Sequence, residues 1–253
     1  MIYVSHGQSP SRSVGASALM NEPNASLGLV AGLLTGEQAG LWPIVWLSLQ
    51  VSAAATVVAG AFALPLAAAV ALFRFPGRGS FVAVLNALMG LPAVVVGLVV
   101  YLLLSRAGPL GSLGILFTPA AMIVAQTLLV LPLITALARQ TLEDGLRELG
   151  PYLRSLQASP WHGMATLIVE SRLSLLTALL AGFGRAAAEV GAVMMVGGNI
   201  DGVTRTMTTA IALETSKGDL SLALALGIVL IGVVLLVNAC VHWLRSRSGM
   251  HRG

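Results

Sequence analysis

Two residues of opposite charge, Arg185 and Glu189, lie in the otherwise apolar stretch FGRAAAEVGAVMMVGG, residues 183–198. Because they are four positions apart, a helix places them on one face, where they can pair. Each charge alone in the middle of a membrane span costs about 3 kcal/mol on insertion scales, whereas a pair that faces a bundle interior costs less. The spacing predicts an internal ion pair, which either fixes helix packing or keeps a pathway polar.

The other polar residues do not assemble an enzyme site. The four histidines lie in tails, in a long loop or at a helix end, so none can activate a serine within a span. The sequence has no HExxH and no GxxxxGK[ST] phosphate loop, and its one lysine, Lys217, lies in ETSKGD. The single Cys240 excludes an internal disulfide and a CxxC pair. We expect a non-enzymatic chain with no metal or cofactor of its own.

The elements that must position the charged pair are apolar helices. The chain has 253 residues, of which 57% are hydrophobic and 9% charged, against about 25% charged in soluble domains. A transmembrane helix needs about 20 predominantly apolar residues. Five segments qualify: 43–72, 81–104, 118–138, 173–197 and 221–243. We predict an all-α integral membrane protein with five transmembrane helices.

The segments outside these spans are assigned by polarity and length. Residues 1–25 are polar and predict a disordered tail. Residues 26–40 are apolar on one face but too short to span, which predicts an interfacial helix. Residues 41–244 form the predicted membrane domain, and residues 245–253 a basic cytoplasmic tail.

Basic residues predict the orientation, because lysine and arginine in short loops are retained in the cytoplasm. An amino terminus outside and a carboxyl terminus inside places most of them on the cytoplasmic side of a cell (inner) membrane. The cytoplasmic set is then Arg74, Arg78, Arg139, Arg147, Arg154, Arg172, Arg245, Arg247 and Arg252, and the outer set Arg12, Arg106, Arg205 and Lys217. The long loop 139–172 is then cytoplasmic.

This loop is far longer than a connection between two spans requires. Its leucine spacing predicts one amphipathic helix over 141–150 and a second over 151–170 that starts at Pro151 and turns near residues 159–160. One interpretation is a docking surface for a cytoplasmic partner. The other is a solvated loop with a partly buried face.

The same loop resembles that of permease subunits of type I ABC importers, whose signature is EAA, three residues, Gly, nine residues and I-x-L-P. Aligning LQAS (156–159) with the family's LGAS puts PYL (151–153) on EAA and LIVE (167–170) on I-x-L-P, so the match is degenerate. Pro151, Gln157 and Glu170 replace the family's Glu, Gly and Pro. The resemblance implies that this segment contacts an ATPase: Leu153, Arg154, Ser155, Leu156, Gln157, Ala158, Ser159, Pro160 and Trp161.

Within that family the tungstate permeases look most similar. The resemblance runs from about residue 26 to 244 and is carried by LWPIVWLSLQVSAAAT, LSRAGPLGSLGILFTPAAMIVAQ and the region from GFGRAAAEVG to LALALG. Molybdate and sulfate relatives share a small-residue span followed by a Glu-x-Gly turn, but not the continuation MMVGGNIDGVTRTMTTAI (194–211). We therefore favour tungstate over molybdate.

The resemblance implies a type I ABC importer permease fold that works as a homodimer in the lipid bilayer. Two cytoplasmic ABC ATPase subunits would hydrolyse ATP with Mg²⁺, and an extracytoplasmic binding protein would deliver the oxyanion; no nucleic acid is involved. Import would proceed by alternating access. A passive channel or a scaffold without an ATPase is the alternative from another class.

In such a transporter residues 185–199 are candidates for the translocation pathway. Backbone N–H groups at GGN (197–199) could contact an oxyanion, or the segment is a simple helix-end turn. The methionines pack or form a gate. Four threonines in the polar segment 203–219, which predicts a re-entrant or surface helix, could line an outer vestibule: Thr204, Thr206, Thr208 and Thr209. The candidate pathway residues are Arg185, Glu189, Met194, Met195, Gly197, Gly198 and Asn199.

Overall fold

The computed structural model describes residues 41–73, 75–155 and 160–249, together with Gly28 and Gly32. The predicted tail 1–25, most of the predicted interfacial helix 26–40 and the last residues of the basic tail lie outside the described residues. The described part is helical and contains no strand. Its α-helices are α1 Trp42–Leu72, α2 Arg78–Met89, α3 Ala93–Leu104, α4 Pro119–Ser155, α5 Pro160–Glu170, α6 Arg172–Ala187, α7 Gly191–Gly197, α8 Met207–Lys217 and α9 Leu220–Gly249.

Three of these helices are long and apolar enough to cross a membrane individually. They are Trp42–Leu72, Pro119–Tyr152 and Leu220–Ala239. Two further crossings are possible only if bent pairs count as spans: α2 with α3, bent by 97°, and α5 with α6, bent by 66°. The all-α membrane architecture is confirmed, with three to five crossings among the described residues.

The predicted span 81–104 is wrong as a single helix. α2 ends at Met89 and α3 begins at Ala93, with Gly90 and Pro92 between them. Proline has no N–H to donate and disfavours helical geometry in the residue before it, so the chain turns here.

The predicted span 173–197 is also wrong as a single helix. α6 ends at Ala187, and α7 begins at Gly191 after a break of three residues. The side chain of Glu189 accepts the N–H of Ala192, three residues further along the chain, at 3.1 Å. A Cβ on Gly191 would lie 2.7 Å from Cγ2 of Val94, so the restart of the helix packs directly against α3.

The predicted division between the third span and the first loop helix is wrong too. α4 continues without interruption to Ser155, and Pro151 lies inside it rather than at a helix start. The extension is stabilised by burial, because Leu142 packs with Ala67 and Ala68 of α1 and Leu167 of α5. Pro151 is close to the helix end, so its missing N–H removes little of the helix.

The core of the molecule lies where α4 packs against α1. The contact face of α1 carries alanines at every fourth position that are fully buried, and such small side chains let two helices approach closely. They are Ala55, Ala59, Ala63 and Ala67. α4 also packs against α6 and α7, so it contacts both sides of the α6–α7 break.

Candidate functional site

Arg185 and Glu189 form an ion pair at the break between α6 and α7. Arg185 lies in the last turn of α6, and its Nη1 donates to Oε2 of Glu189. The Glu189 side chain is only 5% exposed, whereas the Arg185 side chain is 38% exposed. Oε1 of Glu189 accepts the N–H of Ala192 at the start of α7. Both carboxylate oxygens therefore have donors, and the buried negative charge is compensated.

The backbone of the break is held by side chains from two other helices. Thr208 of α8 donates its hydroxyl to the carbonyl of Glu189 at 2.8 Å. Gln126 of α4 donates from Nε2 to the carbonyl of Ala186 at 3.0 Å. Sequence reasoning assigned neither residue to this pair. An amide in the apolar stretch 119–134 was the available signal for Gln126.

α7 packs so closely against α3 and α4 that a side chain larger than that of glycine would not fit at two of the contacts. A Cβ on Gly97 of α3 would lie 2.7 Å from the Cα of Ala192. A Cβ on Gly197 would lie 3.0 Å from the sulfur of Met122. Of the two candidate methionines, Met194 is exposed and Met195 is half-buried. α7 is therefore seated against α3 and α4, with Met194 on its outer face.

The GGN segment forms a helix-end turn. Gly198 has a φ of +71° and Asn199 a φ of +50°, the left-handed region in which helices commonly end. The N–H of Gly198 donates to the backbone carbonyl of Met194. The carbonyl of Gly197 accepts a hydrogen bond from the hydroxyl of Thr204 at 2.6 Å. Oδ1 of Asn199 is buried and finds no partner among the described residues.

The four threonines do not line a vestibule, so that prediction is wrong for the described chain. All four are buried, and their hydroxyls bond within the protein. Thr206 and Thr209 form a capping box that starts α8, and this helix lies within the predicted polar segment 203–219. Thr204 closes the GGN turn, and Thr208 holds Glu189. The hydroxyls bond within the protein instead of facing water, and that of Thr208 ties α8 to the break.

The predicted ATPase-contact segment joins α4 to α5. Residues 153–155 close α4, residues 156–159 lie outside the described part of the chain, and Pro160 begins α5. Tyr152 beside them is 69% exposed. Gln126 and Ser155 are 29 positions apart on α4, about 44 Å at the rise of an α-helix. The contact segment and the charged pair are thus well separated, and one helix connects them.

An ion cluster that sequence reasoning missed anchors the extended end of α4. Oε1 of Glu143 accepts from Nη2 of Arg78 and from Nη1 of Arg139, the latter at 2.6 Å. Arg78 also donates from Nε to the carbonyl of Val70 at 2.9 Å. The cluster therefore ties the connection between α1 and α2 to α4. Among the described residues no group of three or more His, Cys, Asp or Glu is arranged to hold a metal ion.

Comparison with known proteins decides the family, although no family model matches the chain. A probable anion ABC transporter permease protein of Haloferax volcanii is 40% identical over 215 residues, which cover 83% of this chain and 93% of that protein. The chain belongs to the ABC transporter permease family. The permease is also 40% identical to the tungstate uptake system permease protein TupB of Peptoclostridium acidaminophilum, over 85% of this chain and 94% of that protein.

A third relative extends the similarity. The TupB protein of Campylobacter jejuni is 39% identical to the permease over 173 residues, which cover 68% of this chain and 72% of that protein. The resemblance to ABC permeases is therefore confirmed, and the permease is a multi-pass membrane component of a transporter. The roles of the individual site residues stay predictions.

Proposed function

We propose that the permease is the membrane subunit of an ATP-driven importer that moves tungstate into the cytoplasm. The observation that carries this proposal is 40% identity to a tungstate uptake permease over 85% of the chain. A second tungstate uptake permease supports it at 39% identity.

The assembly we propose contains two copies of the permease, two cytoplasmic ABC ATPase subunits that bind ATP with Mg²⁺, and an outer oxyanion-binding protein. The amino terminus lies outside, and five crossings follow: α1, the bent pair α2–α3, α4, the bent pair α5–α6, and α9. α4 then carries residues 153–161 into the cytoplasm, where they contact the ATPase. This arrangement places the Arg185–Glu189 pair in the outer half of the bilayer.

The charge arrangement at the break suits the passage of a dianion. Glu189 alone would repel tungstate, but its two oxygens are occupied by Arg185 and by the N–H of Ala192. Arg185 is 38% exposed, so the positively charged member of the pair lies nearer the protein surface than Glu189 does. A pathway that attracts the ion without holding it tightly allows the ion to leave again.

A polar groove between α4 and α6 supports a route for the ion towards the cytoplasm. A cavity of about 330 Å³ lies between α4 and α6, and its polar lining residues are Gln140, Thr141, Asp144, Ser174 and Thr177. Ala181, four positions before Arg185 on α6, lines the same groove and aligns it with the charged pair.

The test is uptake by proteoliposomes that contain the permease with its ATPase and binding-protein partners. We expect tungstate to accumulate inside when ATP is present and not when ADP replaces it, with weaker competition by molybdate than by unlabelled tungstate. Equal competition by molybdate would assign the permease to both oxyanions. Uptake that proceeds equally well with ADP would identify a passive channel and end the proposal.

A further inference from the structure

The hydrogen bond between Gln126 and Ala186 joins α4 to the end of α6 at the helix break. Nε2 of Gln126 must face the Ala186 carbonyl, because a carbonyl oxygen only accepts hydrogen bonds. The same carbonyl also accepts the N–H of Glu189 at 3.1 Å. Gln126 thus contacts the backbone one residue from Arg185 and three residues from Glu189.

The environment of Gln126 indicates that its amide donor has a specific task. The residue is only 3% exposed, and its Oε1 is buried without a partner among the described residues. An unsatisfied buried acceptor costs stability, and methionine would fill a similar volume without that cost. Methionine, however, has no N–H to donate to the carbonyl of Ala186.

The two sides of the break are anchored to different parts of the molecule. On the α6 side, a Cβ on Gly182 would lie 2.6 Å from Ile134, so α6 and α4 are in direct contact just before the break. On the α7 side, Ala192 is seated against Gly97 of α3, and Thr208 of α8 holds the Glu189 carbonyl. α4 therefore contacts the α6 side of the break directly, through Ile134 and through Gln126.

We infer that Gln126 is a positioning residue for the Arg185–Glu189 pair. It holds α4 to the Ala186 carbonyl, so that a displacement of the α4 end at residues 152–155 reaches the ion pair. The inference rests on the proposed function for the direction of that displacement. The clamp itself rests on the geometry alone.

The first experiment tests the clamp on the purified assembly of permease, ATPase and binding protein in lipid nanodiscs. Gln126→Met removes the donor at similar volume, and Gln50→Met is the matched control at an exposed glutamine of α1. Hydrogen exchange across residues 186–192 is followed by mass spectrometry without ATP and without oxyanion. We expect faster exchange in Gln126→Met and wild-type exchange in Gln50→Met. Equal exchange in both variants overturns the inference.

The second measurement is the amount of tungstate delivered per ATP hydrolysed by the same variants in proteoliposomes. We expect ATP hydrolysis to continue in Gln126→Met while delivery per ATP falls about fivefold or more, the lower range of coupling between distant sites. A merely structural defect would lower hydrolysis and delivery together, and that result contradicts a positioning role. If wild-type protein delivers no tungstate, the proposed function fails, but the exchange result still decides the role of Gln126.

Gln126→Asn keeps the amide on a shorter side chain and guards against a misfolded methionine variant. We expect its exchange across residues 186–192 and its delivery per ATP to lie between those of wild type and Gln126→Met. If Gln126→Met does not assemble, Asn alone carries the test. Wild-type exchange at 186–192 in Gln126→Asn then counts against the clamp.

Discussion

Glu189 is buried in the core, while its ion-pair partner Arg185 reaches the surface. The pair therefore connects the interior of the bundle with its surface. In the proposed mechanism this is the face along which the transported ion travels. Removing Arg185 leaves the Glu189 carboxylate buried without its counter-charge. Removing Glu189 leaves Arg185 at the surface, where water can solvate its charge.

Arg185→Ala is expected to abolish import. The substitution leaves the Glu189 carboxylate buried with one backbone donor, which costs about 2–3 kcal/mol, at or below the lower end for a broken buried pair because Arg185 is partly exposed. Uptake and the melting temperature of the purified permease measure the two effects. The double variant Arg185→Ala with Glu189→Gln should recover the melting temperature but not uptake. Wild-type uptake in Arg185→Ala would refute a pathway role.

Gly97→Ala is expected to destabilise the contact between α3 and α7. The added Cβ would lie 2.7 Å from the backbone of Ala192, which cannot move aside as a flexible side chain can. Overpacking of this kind costs about 1–3 kcal/mol. Gly232→Ala on α9 is the control, because nothing lies within 4 Å of its added Cβ. Thermal unfolding should show a lower melting temperature for the first variant only, and equal values would mean that the contact is not close.

Thr208→Val is expected to loosen the break from α8. The change keeps the side-chain shape but removes the hydroxyl that donates to the Glu189 carbonyl, and such bonds in membrane proteins contribute about 0.6 kcal/mol on average and up to about 1.7 kcal/mol. Thr215→Val is the control on the same helix, because its hydroxyl bonds within α8 to Ile211. Unfolding measurements should separate the two variants, and identical stability would show that the Thr208 bond contributes nothing.

Glu143→Gln is expected to weaken the extended end of α4 and with it the docking of the ATPase. The carboxylate is shared by Arg78 and Arg139, so its loss leaves two partly buried guanidinium groups without a counter-charge. Asp144→Asn is the control, since that neighbouring carboxylate is exposed and pairs with Arg147 only at 3.5 Å. Co-purification with the ATPase should fall in the first variant. Equal recovery in both would separate the cluster from docking.

The long apolar helices could be predicted closely from sequence. The expectations of 43–72 and 221–243 match Trp42–Leu72 and most of Leu220–Gly249. The ends of such a helix can be predicted because polar residues flank its continuous apolar run. The pairing of Arg185 with Glu189 also followed from local spacing.

The break at residues 188–190 could not be predicted, because the contacts that hold its backbone carbonyls come from residues remote in sequence. The stretch AAAEV favours a continuous helix locally, and the donors that hold the break come from Gln126, 60 positions from Ala186, and from Thr208. The continuation of α4 to Ser155 has the same origin, since its stabilising contacts lie on α1 and α5. Tertiary contacts override local preference in both places.

In the proposed importer, α4 carries its exposed end into the cytoplasm, where an ATPase drives import. Thiol labelling with a membrane-impermeant reagent tests this orientation, in protein whose Cys240 is replaced by serine. Tyr152→Cys reports the end of α4, and Ser216→Cys reports the exposed face of α8. We predict labelling of Ser216→Cys in intact cells and of Tyr152→Cys only in inverted membrane vesicles. Labelling of Tyr152→Cys from the outside of intact cells would show that the end of α4 is not cytoplasmic and would rule out this orientation.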